Sequence, residues 1–135
     1  MSNELEDLVV SGKELDKKLV AEILSPYLRL DKDACGIRPL EPWNELNANE
    51  KILLYLTARK AMKAIGFDLE EEGATPKEVI HGTGLKKGTA YPALRNLLND
   101  RVIDQSKDER YWVPNHAVER IKNMLSYEQR GGKSG

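Results

Sequence analysis

From Lys86 to Asn99 the chain reads KKGTAYPALRNLLN, with two lysines, an arginine, a threonine, two asparagines and no carboxylate. Side chains of this kind donate hydrogen bonds. Lysine and arginine pair with phosphate oxygens, arginine also with guanine edges, and asparagine with adenine. At helical spacing Ala90, Leu94, Leu97, Leu98 and the aliphatic stem of Arg101 fall on one side. Thr89, Pro92, Arg95, Asn96 and Asn99 fall on the other. Lys86 and Lys87 stand at the helix start, where free amides and ammonium groups together favour a phosphate. Tyr91 flanks the apolar side; packing at the core edge is weighed there against stacking on a base. The expected chemistry is recognition of a polyanionic duplex, with Thr89, Arg95 and Asn96 towards bases and Lys86 and Lys87 on phosphates.

A helix of this kind needs a scaffold, and the flanking residues supply one. Thr75-Pro76-Lys77-Glu78 is a capping box with proline at the first helical position, where its missing amide costs nothing. The short helix continues through Val79, Ile80 and His81, and Gly82-Thr83-Gly84 follows as the tight turn into the second helix, with Leu85 plugging the junction. After the second helix, Val102–Gln105 and Arg110–Val113 are β-prone runs around Ser106-Lys107-Asp108-Glu109, which predicts a short hairpin. Lys107 and Arg110 are its candidate phosphate contacts, and the acids at its tip oppose them. One of Tyr111 and Trp112 is expected in the core, since neighbours in a strand face opposite ways. Helix, turn, helix and hairpin in this order are the layout of a winged helix-turn-helix.

The run GTAYPALRNLLNDRVI (88–103) resembles the recognition-helix signature of PadR-like winged-helix regulators. The resemblance rests on Gly88, Thr89, Tyr91, Pro92, Leu94, Leu97 and Ile103. Asp100-Arg101-Val102 stands where that family carries an acidic residue, glycine and leucine. The resemblance implies a winged-helix fold, binding to double-stranded DNA and a role in transcription regulation. Specific recognition by so short a helix needs two copies spaced by a helical turn, so a homodimer is expected, with the N-terminal helices or the last helix as its interface.

Elsewhere the pattern is helical. Ser11-Gly12-Lys13-Glu14 has capping-box spacing, and Leu15, Leu19, Ile23 and Leu24 share a face before Pro26 ends the helix. With Leu5, Leu8 and Val9 ahead of Gly12, the sequence predicts an N-terminal helical hairpin or one broken helix. Residues 31–46 show no period and are expected to form a packed loop anchored by Ile37, Leu40 and Trp43. Asn47 and Glu50 cap a strongly apolar helix carrying Ile52, Leu53, Tyr55, Leu56, Met62 and Ile65, closed by Gly66. This helix is expected to be central. The Glu70-Glu71-Glu72 run reads as a solvated connection. Val118, Ile121, Met124 and Leu125 stripe a last helix.

The formal net charge is −1, but the halves differ: residues 1–74 hold 10 Lys/Arg against 15 Asp/Glu, and residues 75–114 hold 7 against 5. A basic second half is compatible with one DNA-facing surface. Cys35 stands alone and the two histidines are far apart, so no zinc spacing, phosphate loop or nucleophile–base pair is present. The expectation is a non-enzymatic protein without cofactor or metal, cytoplasmic at the nucleoid and not membrane-bound. The fold class expected is mainly α, a winged helix-turn-helix over 47–126 with a small β-hairpin wing. An N-terminal helical extension and packed loop over 1–46 and a disordered tail over 127–135 complete it. A winged helix that binds a protein partner, through the N-terminal helices for instance, is the alternative. So is a replication or mobile-element accessory protein that binds DNA with little sequence preference.

Overall fold

The computed structural model describes residues 15–125. The Ser11–Glu14 cap, the Leu5, Leu8 and Val9 stretch and the tail expected over 127–135 lie outside the described residues. Those described form a mainly helical domain of five α-helices and two small antiparallel two-stranded sheets.

Helix α1 (Lys17–Leu24) starts where the Asp16 carboxylate accepts the Leu19 amide at 3.0 Å. It stops at Ser25, ahead of Pro26, as the ring of that proline requires. Its Val20, Ile23 and Leu24 are buried. Where a loop was expected, Leu28–Asp31 (β1) pairs antiparallel with Gly36–Pro39 (β2), Leu28 opposite Pro39 and Asp31 opposite Gly36. The turn between them is built by Asp31, whose Oδ1 accepts the amides of Asp33 and Ala34 at 3.0 and 3.1 Å. Cys35 completes it in the left-handed region at φ 52°. Trp43, in a 3-10 turn over Glu41–Glu45, is a buried anchor, and Ile37 packs against the core from its edge.

Helix α2 (Ala48–Ala64) opens on the expected capping box, with Asn47 and Glu50 exchanging bonds of 2.8 and 2.9 Å. From Ile52 to Met62 every residue is buried, because α1, β2, α3, α4 and β4 (the last three defined below) surround it. Ile65 departs from expectation. The helix ends one residue before it, Gly66 turns the chain at φ 90°, and Ile65 is left 54% exposed.

Helix α3 (Pro76–Thr83) begins with Thr75 and Glu78 in the reciprocal cap. It runs two residues past His81, so the turn is Gly84 alone, at φ 77°. Gly82 belongs to the helix, and its role is close approach: a Cβ there would lie 2.1 Å from Cε1 of the Tyr55 ring. Helix α4 (Lys87–Asn99) follows, with Ala90, Ala93, Leu94 and Leu97 buried. It closes with the amides of Arg101 and Val102 on the carbonyls of Leu98 and Leu97 at 3.0 and 3.2 Å. Arg101 thus lies beyond the helix, exposed and left-handed at φ 62°, and does not extend the apolar face.

The second hairpin is shorter than the β-prone runs. Asp104–Gln105 (β3) pairs with Tyr111–Trp112 (β4), while Val102, Ile103 and Val113 plunge into the core. Tyr111 and Trp112 are both half-buried, and of the two Tyr111 packs against the core from its edge. Ala74 and Tyr111 also exchange backbone bonds of 2.9 and 2.8 Å, which fastens the hairpin to the residue ahead of the α3 cap. A 3-10 turn over Asn115–Ala117 leads into α5 (118–125), which buries Val118, Ile121 and Leu125. One apolar cluster runs from Val20 to Leu125, so residues 15–46 share the core of the rest.

Candidate nucleic-acid interface

The side of α4 turned from the core is open to solvent along its whole length. Lys86, Lys87, Thr89, Tyr91, Pro92, Arg95, Asn96 and Asn99 are all exposed. Tyr91 is 40% exposed, so part of its ring is open to solvent at the edge of this face. The Lys87 ammonium lies 5.8 Å from the centre of that ring, so a cation and an aromatic face are offered together. No side chain caps the start of α4, and its first turn holds no acid. Pro92 lacks the amide that would bond to the Gly88 carbonyl, and both residues face water, where that carbonyl can be solvated.

The β3–β4 hairpin extends this face. Gln105 and Tyr111 are paired in register, and Gln105 Nε2 donates to the Tyr111 hydroxyl at 3.1 Å. Burial pushes the Tyr111 phenol above its ordinary pKa; Glu109 and Tyr91 push the same way and Arg95 opposes them. Lys87 and Tyr91 are thus associated on the helix, and Gln105 and Tyr111 on the hairpin. Gln105 and Tyr111 had no place among the sequence candidates. The signal that finds them is their pairing across the hairpin, which the sequence does not print.

The tip is a tight turn. Ser106 N donates to Arg110 O at 2.9 Å, Glu109 takes the left-handed conformation at φ 60°, and Asp108 accepts the Ser106 hydroxyl. Lys107 is exposed at this tip. Arg110 is placed differently from the sequence expectation. Its guanidinium meets Glu71 at 2.6 Å, Glu78 at 3.1 Å and Asp108 at 3.4 Å and donates to the Gly73 carbonyl at 2.9 Å. A cation compensated by three carboxylates anchors the hairpin and, unlike the expectation from sequence, does not stand free for a phosphate.

Glu70 and Glu71 of the acidic run are exposed, as a solvated connection should be, but the same cluster ties the backbone of the run down. Arg59, buried in α2, donates to the carbonyls of Glu72, Glu71 and Gly73 at 2.8, 2.9 and 3.1 Å and lies over the Tyr55 ring. Lys60, also buried, pairs with the Glu72 carboxylate at 2.8 Å and with Asn115 Oδ1 at 2.5 Å. Lys63 donates to the carbonyls of Leu69 and Glu70. The acidic connection is thus strapped onto α2 by cations and is no free loop.

Among the described residues no group of three or more His, Cys, Asp or Glu side chains is arranged to hold a metal ion. No helix among them is long and apolar enough to cross a membrane. Comparison with protein-family models, curated proteins and solved structures gives no match for this chain.

Proposed function

We propose that this chain binds double-stranded DNA as a winged helix-turn-helix of the PadR-like kind and acts as a small transcription regulator at the nucleoid. In this reading α4 enters the major groove, and the β3–β4 hairpin is the wing. The observation that carries it is the outer face of α4, exposed from Lys86 to Asn99 and free of carboxylates. Thr89, Arg95 and Asn96 read base edges, with Tyr91 beside them, and Lys86, Lys87 and Lys107 sit on phosphates. A short recognition helix gains specificity by pairing half-sites, so the active species is a homodimer.

The test is a salt titration of binding to genomic and random duplexes. Arg95→Ala costs about 1–3 kcal/mol at a preferred site and loosens its sequence preference. Lys87→Ala weakens all duplexes alike and lowers the salt slope by about 1. Absence of binding to any duplex at low salt ends the DNA reading. Steep salt dependence without any preferred site moves it to a sequence-tolerant accessory role. One feature favours the second reading, a protein partner: Asp108 and Glu109 are exposed at the hairpin tip, where they repel a phosphate backbone.

A further inference from the structure

Away from the α4 face the molecule holds an apolar groove of about 280 Å³ between α1, β1 and the end of α2. Val20 and Leu24 of α1, Leu28 and Leu30 of β1, and Ala64 and Ile65 form its apolar lining. No aromatic ring and no carboxylate stands among the lining residues. Branched aliphatic walls take a flexible alkyl chain and offer no flat face on which a ring would stack. Small-molecule sites run from roughly 300 Å³ upwards, so this one suits a small occupant. At roughly 30 Å³ for each water-sized group, about nine such groups fit.

Two cations stand at its mouth. Lys17 and Arg29 belong to the lining, and both are exposed. Arg29 is held in place by backbone on either side of the groove: its Nη1 donates to the carbonyls of Ser25 and Leu28 at 2.6 and 2.9 Å. Neither cation forms an ion pair among the described residues. The acids of α1 and its cap are engaged elsewhere. Asp16 accepts the Leu19 amide, and Glu22 pairs with Lys122 at 2.8 Å. An apolar trough with uncompensated cations at its rim is complementary to an alkyl chain that carries one negative head. A second copy of this chain fits less well. A two-fold contact sets the same patch against itself, which puts Lys17 and Arg29 of both copies into one interface without a carboxylate from the lining.

We infer that this groove binds a medium-chain aliphatic carboxylate of about eight carbons. The alkyl chain lies along Val20, Leu24, Leu28 and Ile65. The carboxylate accepts from Arg29, and Lys17 adds its charge. Exposed Ala21 in the wall sets the width, because its methyl leaves open the space that a longer side chain would take. The site uses no residue of the α4 face, so it stands whether or not the chain binds DNA.

The experiment titrates the full chain, with labelled methyl groups, with sodium octanoate, sodium hexanoate and octanol at neutral pH, followed by NMR. Octanoate is expected to move the methyl signals of Val20, Leu24, Leu28 and Ile65 saturably at millimolar concentration. Affinity falls about fourfold for each methylene removed on the way to hexanoate. Arg29→Gln weakens octanoate about fivefold and leaves octanol unchanged. Ala21→Leu, at an exposed helix position that leucine suits, blocks both ligands without lowering the melting temperature. Equal affinity for octanoate and octanol, untouched by Arg29→Gln, overturns the anionic ligand. Groove signals that move on dilution of the protein alone reveal a second copy in the groove and overturn the choice of occupant. No saturable movement of these signals, or movement centred elsewhere, overturns the site itself.

Discussion

Two sets of cations in this molecule live under opposite rules. Arg59 and Lys60 are buried in α2, with Arg110 beside them, and each has carbonyls, an amide oxygen or carboxylates within bonding distance. Lys86, Lys87, Arg95 and Lys107 are exposed, and among the described residues none has a carboxylate partner. The first set is spent on holding the acidic connection and the hairpin to the helices. The second keeps its donors available. Residue type says little about which set a cation joins. The decision lies in what the tertiary fold brings against it.

The comparison breaks most visibly at Arg59. Arg59→Met leaves three carbonyls without their donor and should lower unfolding free energy by about 3 kcal/mol. Urea unfolding measures this, and a loss below about 1 kcal/mol means the strap holds little. Next, Arg110→Ala and Lys107→Ala separate the two sets within one hairpin. Arg110→Ala costs about 1 kcal/mol of stability without changing the salt slope of duplex binding. Lys107→Ala lowers that slope by about 1 with stability within about 0.5 kcal/mol of wild type. The reverse outcome exchanges their roles.

A smaller effect is expected at Arg101. It holds φ 62°, a conformation glycine takes at no steric cost, so Arg101→Gly should raise stability by about 0.5 kcal/mol after the added freedom of the unfolded chain is counted. A drop in melting temperature instead would mean its side chain makes a contact that matters. The smallest is a pH effect at Glu78. Burial raises its pKa, but the Thr75 amide, Arg59, the Thr75 hydroxyl and Arg110 together outweigh it, and the net shift is downward. A lowered carboxylate contributes stability above its unfolded pKa and loses it as pH falls through the folded value. Thermal melts of Glu78→Gln should therefore show a shallower acid-side decline than wild type. Partial solvent exposure keeps the difference small.

Local chemistry was readable where it stays local. The caps at Asn47–Glu50 and Thr75–Glu78, the stop before Pro26 and the span of α4 all follow from residues within a few positions of each other. What escaped depends on distance along the chain. The β1–β2 hairpin has four-residue strands; Leu28-Arg29-Leu30-Asp31 alternates over too short a run to stand out, its partner carries a proline, and Leu28 joins the core that α1 and α2 share. Lys60 reads as a solvated helix residue until Asn115, 55 positions away, is set against it. The candidate interface divides in the same way. Its α4 half follows from helical spacing, whereas the roles of Gln105, Tyr111 and Arg110 arise only when hairpin, α3 and α4 meet.

The reciprocal bonds between Ala74 and Tyr111 carry a mechanical consequence. Ala74 precedes the cap of α3, and α3 leads through Gly84 into α4. A force applied to the hairpin tip therefore reaches the residue at the root of α3 through two backbone bonds. The hairpin and the start of α3 thus move as neighbours in one small sheet-like pairing, although 37 positions separate Ala74 from Tyr111 in the chain.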